Sequence, residues 1–109
     1  RPYALQFLAG MADRFTLAVW TSMTRKCAKP VLLRLFGETQ IPLLFDWCQN
    51  RCQAVEQDDP SGKPLFLKKL ACVWGEWSHF NESSTVLVDD TMDKCMFNAP
   101  YSCVHPLPF

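Results

Sequence analysis

Charge of one sign, long apolar runs and a dense cysteine framework are all missing from this sequence. Eleven Lys and Arg balance eleven Asp and Glu, so no overall field draws the chain to nucleic acid or anionic lipid. The longest apolar stretches fall far short of the roughly 20 residues a membrane helix needs. Neither nucleic acid nor membrane is therefore expected as a partner of this segment. The six cysteines, at positions 27, 48, 52, 72, 95 and 103, are scattered, and several sit inside apolar runs. That pattern reads as buried free thiols in a reducing, intracellular compartment, nuclear or cytoplasmic rather than secreted. Cys48 and Cys52 lack the second cysteine pair or nearby His that would complete a zinc set, and His79 and His105 are isolated. Asn81-Glu82-Ser83 matches a glycosylation acceptor, which carries meaning only in a secretory context. There is no internal repeat, low-complexity tract or signal peptide. A chain opening on Arg1-Pro2 without Met is expected to have lost its natural start, so a missing targeting segment says little about the parent.

What is present is globular. With 109 residues, 49% of them hydrophobic and 20% charged, the chain can bury a modest core as one domain or part of one. Two apolar runs stand out because each ends in a polar cluster. Phe15-Thr16-Leu17-Ala18-Val19-Trp20 stops at Thr21-Ser22, and Thr85-Val86-Leu87-Val88 stops at Asp89-Asp90. Both have the length and the β-branched or aromatic content of buried strands. Ligands of open α/β sheets bind beyond the carboxyl ends of the strands. The two runs are therefore predicted to be neighbouring or near-neighbouring parallel strands, with Thr21, Asp89 and Asp90 clustered at their ends.

The remaining pattern alternates helix and strand, which favours a parallel sheet with helices on its faces. Pro2 opens a helix whose stripe is Ala4, Phe7, Leu8, Met11 and Ala12. Residues 24–36 read as a second helix, with Val31, Leu32, Leu35 and Phe36 on its apolar side and a break or kink expected near Lys29 because of Pro30. Residues 41–47 read as a strand. Residues 49–63 read as a polar, mobile loop, with Asp58-Asp59-Pro60-Ser61-Gly62 as a turn. Residues 65–74 are amphipathic and helical in their later part. A loop over 75–84, a short helix over about 91–97 ended by Asn98-Ala99-Pro100, and a last strand at 102–104 complete the series.

Adjacent carboxylates at a strand end are costly unless a cation or a hydrogen-bond network holds them. Asp89-Asp90 fits a Mg²⁺ site in which one or two carboxylates share the ion with water and phosphate. It fits equally a helix cap by Asp90 beside a solvated Asp89, and both readings stay open. Thr21 and Ser22 offer hydroxyls to a phosphoryl oxygen, or to the helix that starts near Thr24. Lys68 and Lys69 offer a cation, or merely the solvated face of an amphipathic segment.

Order and spacing add to this. Arg1-Pro2, Phe7-Leu8, Trp20-Thr21-Ser22 and Ala28-Lys29-Pro30-Val31 occur in one series with Lys68-Lys69-Leu70 and Val86-Leu87-Val88-Asp89-Asp90. The series resembles the NLI-interacting-factor domain, which includes phosphatases acting on the C-terminal domain of RNA polymerase II, within the haloacid dehalogenase superfamily. Leu43-Leu44-Phe45-Asp46-Trp47 and the run from Phe80 to Asp90 look most like a subgroup well represented in plants. The resemblance extends from Arg1 to about Pro106.

It implies a three-layer α/β domain with a parallel, Rossmann-like sheet. It implies a Mg²⁺-dependent phosphoprotein phosphatase, with phosphorylated protein as substrate. In such enzymes a strand-borne Asp attacks phosphorus to give an aspartyl-phosphate, and an Asp two residues later serves as general acid and base. The resemblance assigns Thr21 to a phosphoryl oxygen, Lys68 to the nucleophile and phosphoryl group, and Asp89 and Asp90 to the metal. Lys69 is the alternative to Lys68 by a register of one. The nucleophile motif, Asp-x-Asp-x-Thr or Val, occurs nowhere here. Residues 1–109 are accordingly expected to be the C-terminal part of one domain lacking its central strand, and to be inactive alone. Two rivals are a pseudophosphatase that binds a partner, and a structural role such as that of the mitochondrial import subunit sharing this domain.

Overall fold

The computed structural model describes residues 1–109, which divide into two units, Arg1–Arg51 and Cys52–Phe109. The first unit is built on a strand–helix–strand element. Its leading helix α1 (Ala4–Ala12) follows Tyr3, whose φ of 63° lies in the left-handed region that a bulky side chain rarely adopts. Ala4, Leu8, Met11 and Ala12 are half-buried as the stripe predicts, whereas Phe7 is exposed. Strand β1 (Leu17–Trp20) runs parallel to β2 (Leu43–Trp47), with a bulge between Leu17 and Val19 that shifts the register by one. Between them lies α2 (Arg25–Phe36), whose N-cap is Thr24; the Thr24 hydroxyl accepts from the Cys27 N–H.

Pro30 does not break α2, which is continuous from Arg25 to Phe36. Proline removes one donor, but Ala28 is fully buried, and Leu32, Leu35 and Phe36 continue its face at helical spacing. Val31, expected on that face, is turned outward. The strand pair closes on Trp20 and Trp47, register partners whose rings meet edge to face at 4.9 Å. Such a contact adds about 0.5–1.5 kcal/mol to the area it buries. Phe45 lies 4.2 Å from the Trp47 ring, and the Arg51 guanidinium covers that ring at 4.0 Å.

The second unit opens with a hairpin. Strand β3 (Gln53–Val55) pairs antiparallel with β4 (Leu65–Leu67), so the polar stretch 49–63 is not wholly loop; within 65–74 the first residues are strand, and helix is confined to the later part, as expected. Three-residue strands are too short to show a period of two. The turn itself is where the sequence puts it: Gly62 takes φ 67°, and its N–H donates to the Asp59 carbonyl. Helix α3 (Ala71–Glu76) follows, then a loop held by Asn81, whose Oδ1 accepts from the Ser83 N–H, and by the Trp74 indole N–H donating to Thr85 Oγ1. Strand β5 (Leu87–Val88) runs parallel to β6 (Cys103–Val104). Leu67, Leu70, Val73, Cys95 and Ser102 form the buried centre of this unit.

The helix expected over 91–97 is a single 3-10 turn, Met92–Cys95. The Lys94 carbonyl accepts from the Lys68 N–H, and the Asn98 N–H donates to Cys95, three residues back. A tertiary hydrogen bond has taken the Lys94 carbonyl, which an α-helix would pair with the Asn98 N–H.

The secondary structure is thus a mixture of helices and short strands. The strands form three two-stranded sheets, β1–β2, β3–β4 and β5–β6, rather than one parallel sheet. The hydrogen-bonded neighbour of β1 is β2 and that of β5 is β6, so the two polar-ended strands do not pair with each other. All six cysteines are free, but only Cys48 and Cys95 are buried. No helix is long and apolar enough to cross a membrane.

Candidate functional site

Asp89 leaves the end of β5 with its backbone held on both sides. Its N–H donates to the Val104 carbonyl at 3.0 Å, extending the β5–β6 ladder by one bond. Its carbonyl accepts from His105 Nδ1 at 2.8 Å, which sets the ring tautomer with the proton on Nδ1. The side chain is almost fully buried. Asp89 Oδ2 accepts from Lys68 Nζ at 2.6 Å, with the two side chains only 8% (Lys68) and 6% (Asp89) exposed. Asp89 Oδ1 accepts from the Thr91 N–H at 2.9 Å. Asp90 is exposed and accepts from Thr91 Oγ1 at 3.3 Å.

Two expectations change here. Asp90 caps no helix, because the turn after Thr91 has no side-chain cap, and it is Asp89 that accepts from the Thr91 N–H and is the buried member of the pair, not the solvated one. Both follow from Lys68, since a carboxylate can be buried when a cation and an N–H together satisfy it.

Lys68 follows β4 directly and is buried, as is Leu70 two residues on. Lys69 takes a different environment, its ammonium over the Phe97 ring at 5.0 Å. Asn98, which the sequence offers only as a helix terminator, bridges this segment: Nδ2 donates to the Lys68 carbonyl at 2.7 Å and Oδ1 accepts from the Leu70 N–H at 2.8 Å. His105 and Asn98 are the two residues of the site that sequence reading passed over. Their partners lie 16 to 30 positions away, and periodicity reports only near neighbours.

Cys95 lies against this polar group. Burial chiefly, then Cys103 and Asp89 beside it, push its thiol up to about 12, with Lys68 acting in the opposite sense. It is protonated and inert at neutral pH.

Thr21 belongs to the first unit, immediately beyond β1. Its N–H donates to the Trp47 carbonyl, and its Oγ1 accepts from the Met23 N–H at 3.1 Å, so the hydroxyl closes a turn. The helix cap falls to Thr24 rather than to Thr21 or Ser22. Gln49 braces the same turn, donating through Nε2 to the Ser22 carbonyl and through its N–H to Met23.

The family comparison decides what this architecture is part of. The model of the NLI interacting factor-like phosphatases matches residues 1–109, the whole of the chain. The chain belongs to that family. No curated protein matches it. Membership in a phosphatase family makes this a phosphatase-type domain and favours phosphoproteins as the substrate class. Phosphatases of the haloacid dehalogenase type generally use Mg²⁺.

Proposed function

We propose that residues 1–109 carry the phosphate- and metal-handling part of a Mg²⁺-dependent phosphoserine/phosphothreonine protein phosphatase of three-layer haloacid-dehalogenase architecture. The observation that carries this reading is the buried Lys68–Asp89 pair at a strand end, with Asp90 beside it. An ammonium fixed by a carboxylate in a site with little water can offset the negative charge of a transferring phosphoryl group at small reorganisation cost. Lys68 holds the phosphoryl oxygens and the attacking carboxylate. In the first unit Thr21 offers the hydroxyl suited to a phosphoryl oxygen, since a hydroxyl that accepts from the Met23 N–H can still donate.

Asp89 and Asp90 supply hard carboxylate oxygens, the donor type Mg²⁺ takes. No group of three or more His, Cys, Asp or Glu side chains converges anywhere in the chain. Such an ion would therefore rest on Asp89 and Asp90 alone, with water and phosphate completing its shell. When bound, Mg²⁺ neutralises charge on the transferring group.

The family route requires an Asp nucleophile followed two residues later by an acid–base Asp, and the sequence contains no Asp-x-Asp. Hydrolysis by that route therefore needs a carboxylate from outside these residues. The 109-residue chain is expected not to hydrolyse p-nitrophenyl phosphate with Mg²⁺. A polypeptide joining it to a strand that bears Asp-x-Asp is expected to dephosphorylate a phosphoserine peptide and to lose that activity in Lys68→Met. Turnover by the 109 residues alone would overturn the nucleophile assignment. Full turnover in Lys68→Met would overturn the site.

A second reading, a phosphoprotein-binding pseudophosphatase, is favoured by one observation. Both oxygens of Asp89 are already engaged, by Lys68 and by the Thr91 N–H. Phosphopeptide binding that persists without any turnover in the Asp-x-Asp-bearing polypeptide would select it.

A further inference from the structure

The antiparallel ladder that carries the lysine segment ends too early to hold it. Strand β3 pairs with β4 only as far as Gln53 opposite Leu67, and Lys68 is the next residue. From there the backbone depends on the 94–98 segment. The Lys68 N–H donates to the Lys94 carbonyl at 2.9 Å. The Asn98 side chain takes the next two groups, donating to the Lys68 carbonyl and accepting from the Leu70 N–H. The amide orientation is dictated by its partners, because a carbonyl only accepts and a backbone N–H only donates. One amide that donates to residue 68 and accepts from residue 70 does for Lys69 what a peptide of a parallel neighbouring strand would do.

We propose that Asn98 is a positioning residue for Lys68: its amide continues the sheet by one pairing and thereby fixes the ammonium on Asp89. The functional part of this rests on the reading of Lys68–Asp89 as the phosphate-handling pair. The physical reason is leverage. Lys68 reaches Asp89 through a four-carbon stem, so a small rotation of its backbone is magnified at Nζ, and a charge-assisted hydrogen bond tolerates little misplacement. Lys68 and Leu70 are both buried, so water cannot take over the groups that Asn98 satisfies. A site in which the cation waits in place for developing charge needs this kind of support.

The test follows the lysine itself and needs no turnover, so it can fail or succeed independently of the phosphatase reading. The folded chain is pulsed with a trace of acetic anhydride, and acetylation of each lysine is read by peptide mass spectrometry. Lys68 is expected to react far more slowly than the exposed Lys26, Lys29 and Lys63. Asn98→Ala should raise the Lys68 rate roughly tenfold relative to those three, the equivalent of one charge-assisted hydrogen bond. Asn98→Asp, which keeps the acceptor for Leu70 but loses the donor to Lys68, should raise it as well and serves where Asn98→Ala does not fold. In an Asp89→Asn background, where the ammonium has no carboxylate to be held against, the Asn98 substitution should change the Lys68 rate less than twofold, well below one charge-assisted hydrogen bond. That loss of effect separates positioning from a merely structural role, which would add independently of Asp89. A Lys68 rate unchanged by either Asn98 substitution overturns the proposal. So does an undiminished increase in the Asp89→Asn background, or a wild-type Lys68 as reactive as Lys26.

Discussion

Removing one member of the Lys68–Asp89 pair should cost far more than removing a surface pair, by an amount the burial sets. Lys68→Met keeps the length and packing of the stem but deletes the charge, leaving the Asp89 carboxylate with only the Thr91 N–H. Asp89→Asn keeps an acceptor for Thr91 but leaves the ammonium unpaired. With the ions 2.6 Å apart and the side chains 8% and 6% exposed, water cannot replace the lost partner. Breaking such a buried pair typically costs about 3–5 kcal/mol. The contrast within the same molecule is Arg25–Asp46, 3.3 Å apart with side chains 53% and 51% exposed. There Asp46→Asn should cost ~0–1 kcal/mol, and the Arg25 bond to the Asp46 carbonyl remains. Urea unfolding at neutral pH, followed by tryptophan fluorescence, gives each value from the midpoint at constant slope. The double variant Lys68→Met/Asp89→Asn buries no charge and should be at least as stable as either single variant. Single variants that each lose under about 1 kcal/mol, or a double variant that loses the sum of the two, would refute a buried, mutually dependent pair.

Two further outcomes follow from titration and from surface. The Cys95 thiol is raised from 9.0 to about 12 in the folded chain, so between those values the folded state retains a proton that the unfolded state has lost. Its contribution is whole below pH 9 and disappears as pH rises toward 12; stability should fall over that window by at most about 1.4 kcal/mol per pH unit, a slope that Cys95→Ala removes. Val88 and Val104 of the β5–β6 sheet and Val86 just before it are exposed, and β5 has β6 as its one strand partner. Such an apolar face and open strand edge should make the chain associate with rising concentration, and Val88→Lys should suppress this in sedimentation velocity.

Local chemistry was legible where neighbours in sequence are neighbours in space. Both polar-ended strands, the final strand and the turn at Gly62 follow from period and turn residues. All of these act over a few positions. The acidic pair stood out for the same reason, as a short run at the end of an apolar segment, whereas Lys68 was singled out by the family resemblance. Reading failed where long-range partners compete. Pro30 is tolerated because the buried face from Ala28 onward outweighs one lost donor. Residues 53–55 become a strand because Leu65-Phe66-Leu67 returns beside them.

What the sequence determined by itself is the set of chemical parts and their order along the chain, enough to place it in a phosphatase family. What only tertiary structure decided is which lysine faces the carboxylate, which aspartate is buried, and that Asn98 and His105 hold the two backbones between which the ion pair forms. Those are hydrogen bonds between residues 16 to 30 positions apart. A carboxylate is stable in the interior only when such distant groups converge on it, and no local pattern encodes that convergence.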